Sequence, residues 1–192
     1  MLKKTLVLGA VSLAALLSAG VASAQNVYVG GTVGQSKWND ECSGTVKWDT
    51  GGTAYKLIGG YNFDKNFAFE TSLFSLGKIN ASLPIGNTIA GAEVKGSGID
   101  FAAVAKTDFN EHFGGFAKLG VSRTTVKSTG SYGNNLVFSQ DTTSTQPVAA
   151  LGLTYNVTKE LALRGEFETR RVKLGTDKEN VNTFSVGMQY SF

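Results

Sequence analysis

The last ten residues limit the fold most. Phe184, Val186, Met188, Tyr190 and Phe192 alternate with Thr183, Ser185, Gly187, Gln189 and Ser191, so one face is apolar throughout and the other is small or polar. A period of two belongs to a strand and not to a helix. The pattern returns at Ala149–Asn156 and Leu161–Arg170, and in weaker form at Val27–Ser36, Ala54–Phe63, Phe67–Leu76, Gly98–Phe109 and Gly115–Thr125. Eight segments of about the 9–11 residues that cross a bilayer at a tilt are therefore expected. Gly fills 24 of 192 positions, well above the ~7% of ordinary proteins, which argues against a helical bundle.

The connections fall into two classes. Asp64-Lys65-Asn66, Asn110–His112 and Thr158-Lys159-Glu160 read as tight turns, whereas Lys37–Gly52, Gly77–Ser97, Lys127–Thr143 and Leu174–Asn180 read as long polar loops. Short and long alternate, which places all the turns at one end. An all-β, eight-stranded, antiparallel up-and-down barrel does this, and its closure removes the exposed sheet edges.

Alternation alone leaves open whether the apolar face points in, as in a soluble ligand-binding barrel, or out, as in a membrane barrel. Three features favour the membrane. Arg164, Glu166, Glu168 and Arg170 lie on the polar face of one segment, where a crowded lumen can pair them. Tyr61, Phe63, Phe67, Phe109, Phe113, Tyr155, Tyr190 and Phe192 gather at the short-turn ends, as an interfacial girdle would. An export signal is the third: Lys3 and Lys4, an apolar run from Thr5 to Leu17, then Ala22-Ser23-Ala24. Residues 1–24 are read as a cleaved signal peptide and 25–192 as the barrel. The rival, an uncleaved anchor helix, needs a longer apolar centre, of ~20 residues. Cleavage takes away Lys3 and Lys4 and leaves a net charge of +1, so nothing in the charge points to nucleic acid. Cys42 has no partner in the chain. It reads as an incidental thiol, with an intermolecular disulfide as the alternative.

Gly59-Gly60-Tyr61, Phe67-Ala68-Phe69-Glu70, Leu76-Gly77-Lys78, Ala149–Asn156, Ala162-Leu163-Arg164-Gly165-Glu166 and Phe184–Phe192 resemble the transmembrane domain of outer membrane protein A and its relatives, the small outer-membrane β-barrel and opacity-porin superfamily. The resemblance covers residues 26–192. It lacks the peptidoglycan-binding domain that larger members carry after the barrel, so no peptidoglycan anchoring is inferred. It implies a lumen filled by a charge network, with Glu70, Lys118 and Arg164 matching the family's inward charges and Glu166, Glu168 and Arg170 extending the set. Val104 stands where a relative has an inward Lys. It further implies that Tyr190 and Phe192 form the C-terminal signal read by the outer-membrane insertion machinery.

Little in the sequence suggests catalysis. The one histidine, His112, sits in a short turn, and Glu166 and Glu168 are flanked by arginines, so an ion cluster is the better reading than an acid pair. Asp40, Glu41 and Asp49 lack calcium-loop spacing. Trp38 and Trp48 read as outer interfacial anchors. No enzyme activity, cofactor or metal is expected. The expected function is a monomeric outer-membrane barrel that supports the envelope and presents its loops outside. Its expected partners are outer-membrane lipids, the insertion machinery and an unidentified extracellular ligand. A narrow gated pore is the alternative, and a lipid-modifying enzyme the third reading.

Overall fold

The computed structural model describes residues 26–38, 47–48, 51–85, 88–132, 135–174 and 177–192. The signal-peptide segment, Cys42, Asp40, Glu41 and Asp49 lie outside them, and so does the side chain of Trp48. The strands are β1 (Val27–Trp38), β2 (Lys47–Trp48), β3 (Gly51–Asn62), β4 (Phe67–Ile85), β5 (Thr88–Asp108), β6 (Phe113–Tyr132), β7 (Asn135–Asn156), β8 (Leu161–Leu174) and β9 (Asp177–Ser191). Antiparallel pairing joins β1, β3, β4, β5, β6, β7, β8 and β9 in turn, and β9 returns to β1. Eight strands thus close a barrel, with the two-residue β2 paired to Ala81 and Ser82 of β4.

The apolar face is outside. Leu57, Leu119 and Leu151 are 65%, 69% and 64% exposed, while their neighbours Lys56, Lys118 and Ala150 are buried. Leaving aliphatic side chains out and burying charges is stable only where the surroundings are hydrocarbon. The outward apolar belt runs about eight residues along each strand, which at ~3.3 Å per residue and a ~40° tilt spans ~20 Å. The girdle aromatics are exposed at its short-turn rim, where Phe113 packs on Tyr155 at 4.9 Å and Tyr190 on Phe192 at 5.1 Å.

The three tight turns share one device. Asp64 Oδ1 accepts from the backbone N–H groups of Asn66 and Phe67, Asn110 Oδ1 from those of His112 and Phe113, and Thr158 Oγ1 from those of Glu160 and Leu161, all within 2.7–3.2 Å. A short side chain that bonds two or three residues ahead replaces a ladder bond and reverses the chain.

At the other end the expected loops are largely strand. Gly77–Ser97 is a hairpin of β4 and β5 that pairs up to Ile85 and Thr88, and Lys127–Thr143 is a hairpin of β6 and β7 that pairs up to Tyr132 and Asn135. Lys37 and Trp38 continue β1, Gly51 and Gly52 begin β3, Leu174 ends β8, and Asp177–Asn180 belong to β9. The strands β4–β7 therefore rise some ten residues, ~30 Å along the strand, above the belt as one sheet. Their ladder to β8 stops at Val148 opposite Arg170, beside Pro147, which has no N–H to donate.

Trp38 corrects a second expectation. It is buried, packed with Phe74, Leu76, Ile79, Val94, Val126, Val172 and Val181 in an apolar layer inside the barrel. It continues the inward series Tyr28, Thr32 and Ser36, so parity along β1 directs it into the lumen and away from lipid.

Candidate functional site

Between the apolar layer and the short-turn end, eight charged groups are buried in the lumen among the described residues. Lys56 comes from β3, Glu70 from β4, Asp100 from β5, Lys118 from β6, and Arg164, Glu166, Glu168 and Arg170 from β8; all are buried. On β8 the four occupy alternate positions, so period two aims every one of them inward. Four cations face four carboxylates.

Arg164 is the hub of the lower half. Its two terminal nitrogens reach the two oxygens of Glu70 at 2.7 and 3.2 Å, its Nε donates to Glu166 at 3.1 Å, and Nη1 also donates to Gln189 at 3.0 Å. Lys118 Nζ lies 3.0 Å from Glu70 and 2.9 Å from Glu166, and the Tyr28 hydroxyl donates to Glu70 at 2.9 Å. In the upper half Arg170 holds both oxygens of Asp100 at 3.2 and 3.0 Å and donates to Ser122 at 3.1 Å. Glu168 bridges the halves: it pairs with Arg170 and with Lys56, and Lys56 Nζ also lies 2.8 Å from Glu166. Forked guanidinium contacts of this kind set geometry as well as charge balance.

Aromatic rings bracket the network. The Arg164 guanidinium lies 4.1 Å from the Phe116 ring and that of Arg170 3.5 Å from the Phe74 ring. Below, Tyr28 and Phe116 form a layer with Ile58, Ala68 and Val104. Two glycines make room for it: a Cβ on Gly60 would lie 2.0 Å from the Tyr28 ring, and one on Gly152 2.1 Å from Phe116. A polar recess of about 230 Å3 opens beneath this layer at the short-turn mouth, with Asn62, Lys106 and Asn156 on its walls. That recess reaches Glu70 and Arg164; two further spaces beside the network are about 10 Å3 each, roughly one water, and one of them touches Thr32, Arg170 and Thr183.

All six interior charges named from the sequence thus lie in one contact network. Lys56 and Asp100 complete it and were missed, although both sit in register: Lys56 alternates with Ala54 and Ile58, and Asp100 with Ala102 and Val104. Val104 packs in the aromatic layer, and Lys56, from β3 two strands away, supplies a cation in the network. His112 stays in its turn, stacked on Tyr155 at 6.1 Å and apart from every carboxylate of the network. Each carboxylate of the cluster is bonded to a cation, and Asp100 also accepts from the buried Ser72 hydroxyl at 3.2 Å.

The family model of the OmpA-like transmembrane domain matches residues 22–192. No curated protein sequence matches significantly. Among solved structures, the attachment invasion locus protein Ail of Yersinia pestis is similar over 88% of this chain and 99% of its own, at a TM-score of 0.59 and 17% identity. OprG from Pseudomonas aeruginosa is similar over 88% and 96%, at 0.57 and 15%. Neisserial surface protein A is similar over 86% and 97%, at 0.54 and 15%.

Proposed function

Since the chain belongs to the family of OmpA-like transmembrane domains, barrels of the bacterial outer membrane, we propose that it is a structural and surface-presenting protein and not a conduit or an enzyme. One observation carries this reading: the lumen is filled at three successive levels, by the Trp38 layer, the eight-charge network and the Tyr28–Phe116 layer. The recess at the short-turn mouth ends at Glu70 and Arg164, and the two spaces of about 10 Å3 beside Glu168 admit a water and not a hydrated ion. The same filling disfavours the narrow pore. The sheet of β4–β7 standing above the belt is the surface offered to an extracellular ligand.

Export and assembly belong to the same reading. Residues 1–24 direct export and are removed at Ala24-Gln25, and Tyr190 with Phe192 form the signal for the insertion machinery. The mature barrel is read as a monomer: its ring of pairing closes on itself and leaves no strand edge in the belt to pair with a second copy.

Orientation tests the proposal. With Cys42 replaced by Ser, Ser139→Cys at the exposed upper part of β7 should react with a membrane-impermeant maleimide on intact cells, and Lys159→Cys in a tight turn should not. The reverse pattern would overturn it.

A further inference from the structure

The outward rims of the barrel differ in charge. Among the described residues just above the apolar belt, at the end opposite the tight turns, Lys37, Lys78, Lys95, Arg123, Lys127 and Arg171 face outward against two outward acids, Glu93 and Asp141. Glu93 takes Lys95 at 2.7 Å and Lys78 at 3.5 Å, and Asp141 takes Lys127 at 3.6 Å. The Glu93 carboxyl is held below the usual range by the hydrogen bond from Lys95, with the charge of Lys78 assisting. Lys37, Arg123 and Arg171 have no carboxylate within ion-pair distance among the described residues. At the tight-turn rim, by contrast, Asp64, Glu111 and Glu160 at least balance Lys65 and Lys159.

Lys37 and Arg171 share a face. Lys37 of β1 is paired in register with Asn182 of β9, and Asn182 with Thr169 of β8; two residues higher, Arg171 is opposite Asn180. The row holds cations, amides and a hydroxyl, and no acid. Directly beneath it Phe184 and Phe167, cross-strand partners, are 62% and 51% exposed at the top of the belt. Neighbouring strands are ~4.8 Å apart and two residues rise ~6.6 Å, so the backbones of Lys37 and Arg171 stand roughly 12 Å from each other.

We propose that this face of β8, β9 and β1 binds the head group of a bis-phosphorylated glycolipid of the outer leaflet. Lys37 and Arg171 each take one phosphate, Asn180 and Asn182 bond sugar hydroxyls, and Phe167 and Phe184 lie against the acyl chains. The amides decide between a sugar head group and a simple phospholipid. An anion held only by charge needs the two cations alone, whereas amides, which donate and accept, match hydroxyl groups. The inference takes its orientation from the preceding section, but binding in micelles does not depend on orientation in a cell, so the two readings fail separately.

Diphosphoryl lipid A titrated into the mature protein in zwitterionic micelles, followed by calorimetry, tests it. Each cation near an anionic head group is worth about fivefold, so K37Q/R171Q should bind roughly 20- to 30-fold more weakly. Monophosphoryl lipid A should bind wild type roughly fivefold more weakly than the diphosphoryl form. K65Q/K159Q, at the other rim, should bind as wild type. Both double variants change exposed side chains that make no hydrogen bond or ion pair with the interior charges, and an unchanged β-sheet circular dichroism spectrum verifies folding. Wild-type affinity in K37Q/R171Q, equal losses in both variants, or phosphatidylglycerol binding as tightly as lipid A would each overturn the proposal.

Discussion

Arg164 touches Glu70, Glu166, Gln189 and the Phe116 face, more partners than any other side chain in the lower network. Arg164→Ala leaves four buried carboxylates against three cations. Breaking a buried pair in this way costs about 3–5 kcal/mol, against about half a kcal/mol for an exposed site. Urea unfolding in detergent micelles measures the difference, and a wild-type midpoint would place Arg164 outside any coupled network. Gly60→Ala acts on the same carboxylate from the other side. Its methyl would meet the Tyr28 ring at 2.0 Å, so the ring and its bond to Glu70 must shift, at about 1–3 kcal/mol of overpacking. At this scale the charges on β8 were legible because four of them alternate without interruption. Lys56 and Asp100 were harder to see because each is a single charge among small or aliphatic neighbours, in segments whose alternation is weaker.

Gly77 governs the hairpin of β4 and β5. Leu76 and Gly77 together oppose Gly96, so β4 carries one extra residue there, and Gly77 takes φ of 75°. Gly77→Ala forces a side chain into the left-handed region and brings its Cβ to 2.5 Å from the Thr53 carbonyl oxygen, a loss of about 1–3 kcal/mol in the same unfolding assay. Deleting Gly77 should be tolerated better, since Lys78 and Ile79 then continue opposite Lys95 and Val94 with no side chain changing face. The reverse order of stabilities would refute this view of the bulge. The bulge also explains why β4 reads as ending at Leu76: inward residues change from even to odd numbers there, and a strict period of two breaks. Higher still, polar residues lie on both faces of the hairpins, and without the contrast between lipid and lumen nothing in the sequence separates a tall strand from a loop. Phe192 belongs to this scale as well. Its N–H donates to the Val27 carbonyl at 3.0 Å where β9 meets β1, and its deletion should lower outer-membrane levels while export across the inner membrane continues. Normal outer-membrane levels of the deletion, in fractionated cells, would count against its role in assembly.

For the molecule as a whole, the alternation of short and long connections was enough to specify an even, antiparallel, closed barrel, and that barrel is the one observed. What the pattern could not convey is how full the lumen is. Filling depends on residues far apart in sequence meeting across the barrel, such as Lys56 with Glu168 and Asp100 with Arg170. Closure of the lumen is the point on which the functional reading turns, and single-channel recording of the refolded mature protein in a planar bilayer tests it directly. A barrel filled at three levels should give a baseline without unitary steps under applied voltage. Reproducible ohmic steps from wild-type protein, at a frequency that scales with the amount inserted, would contradict it and make the protein a pore.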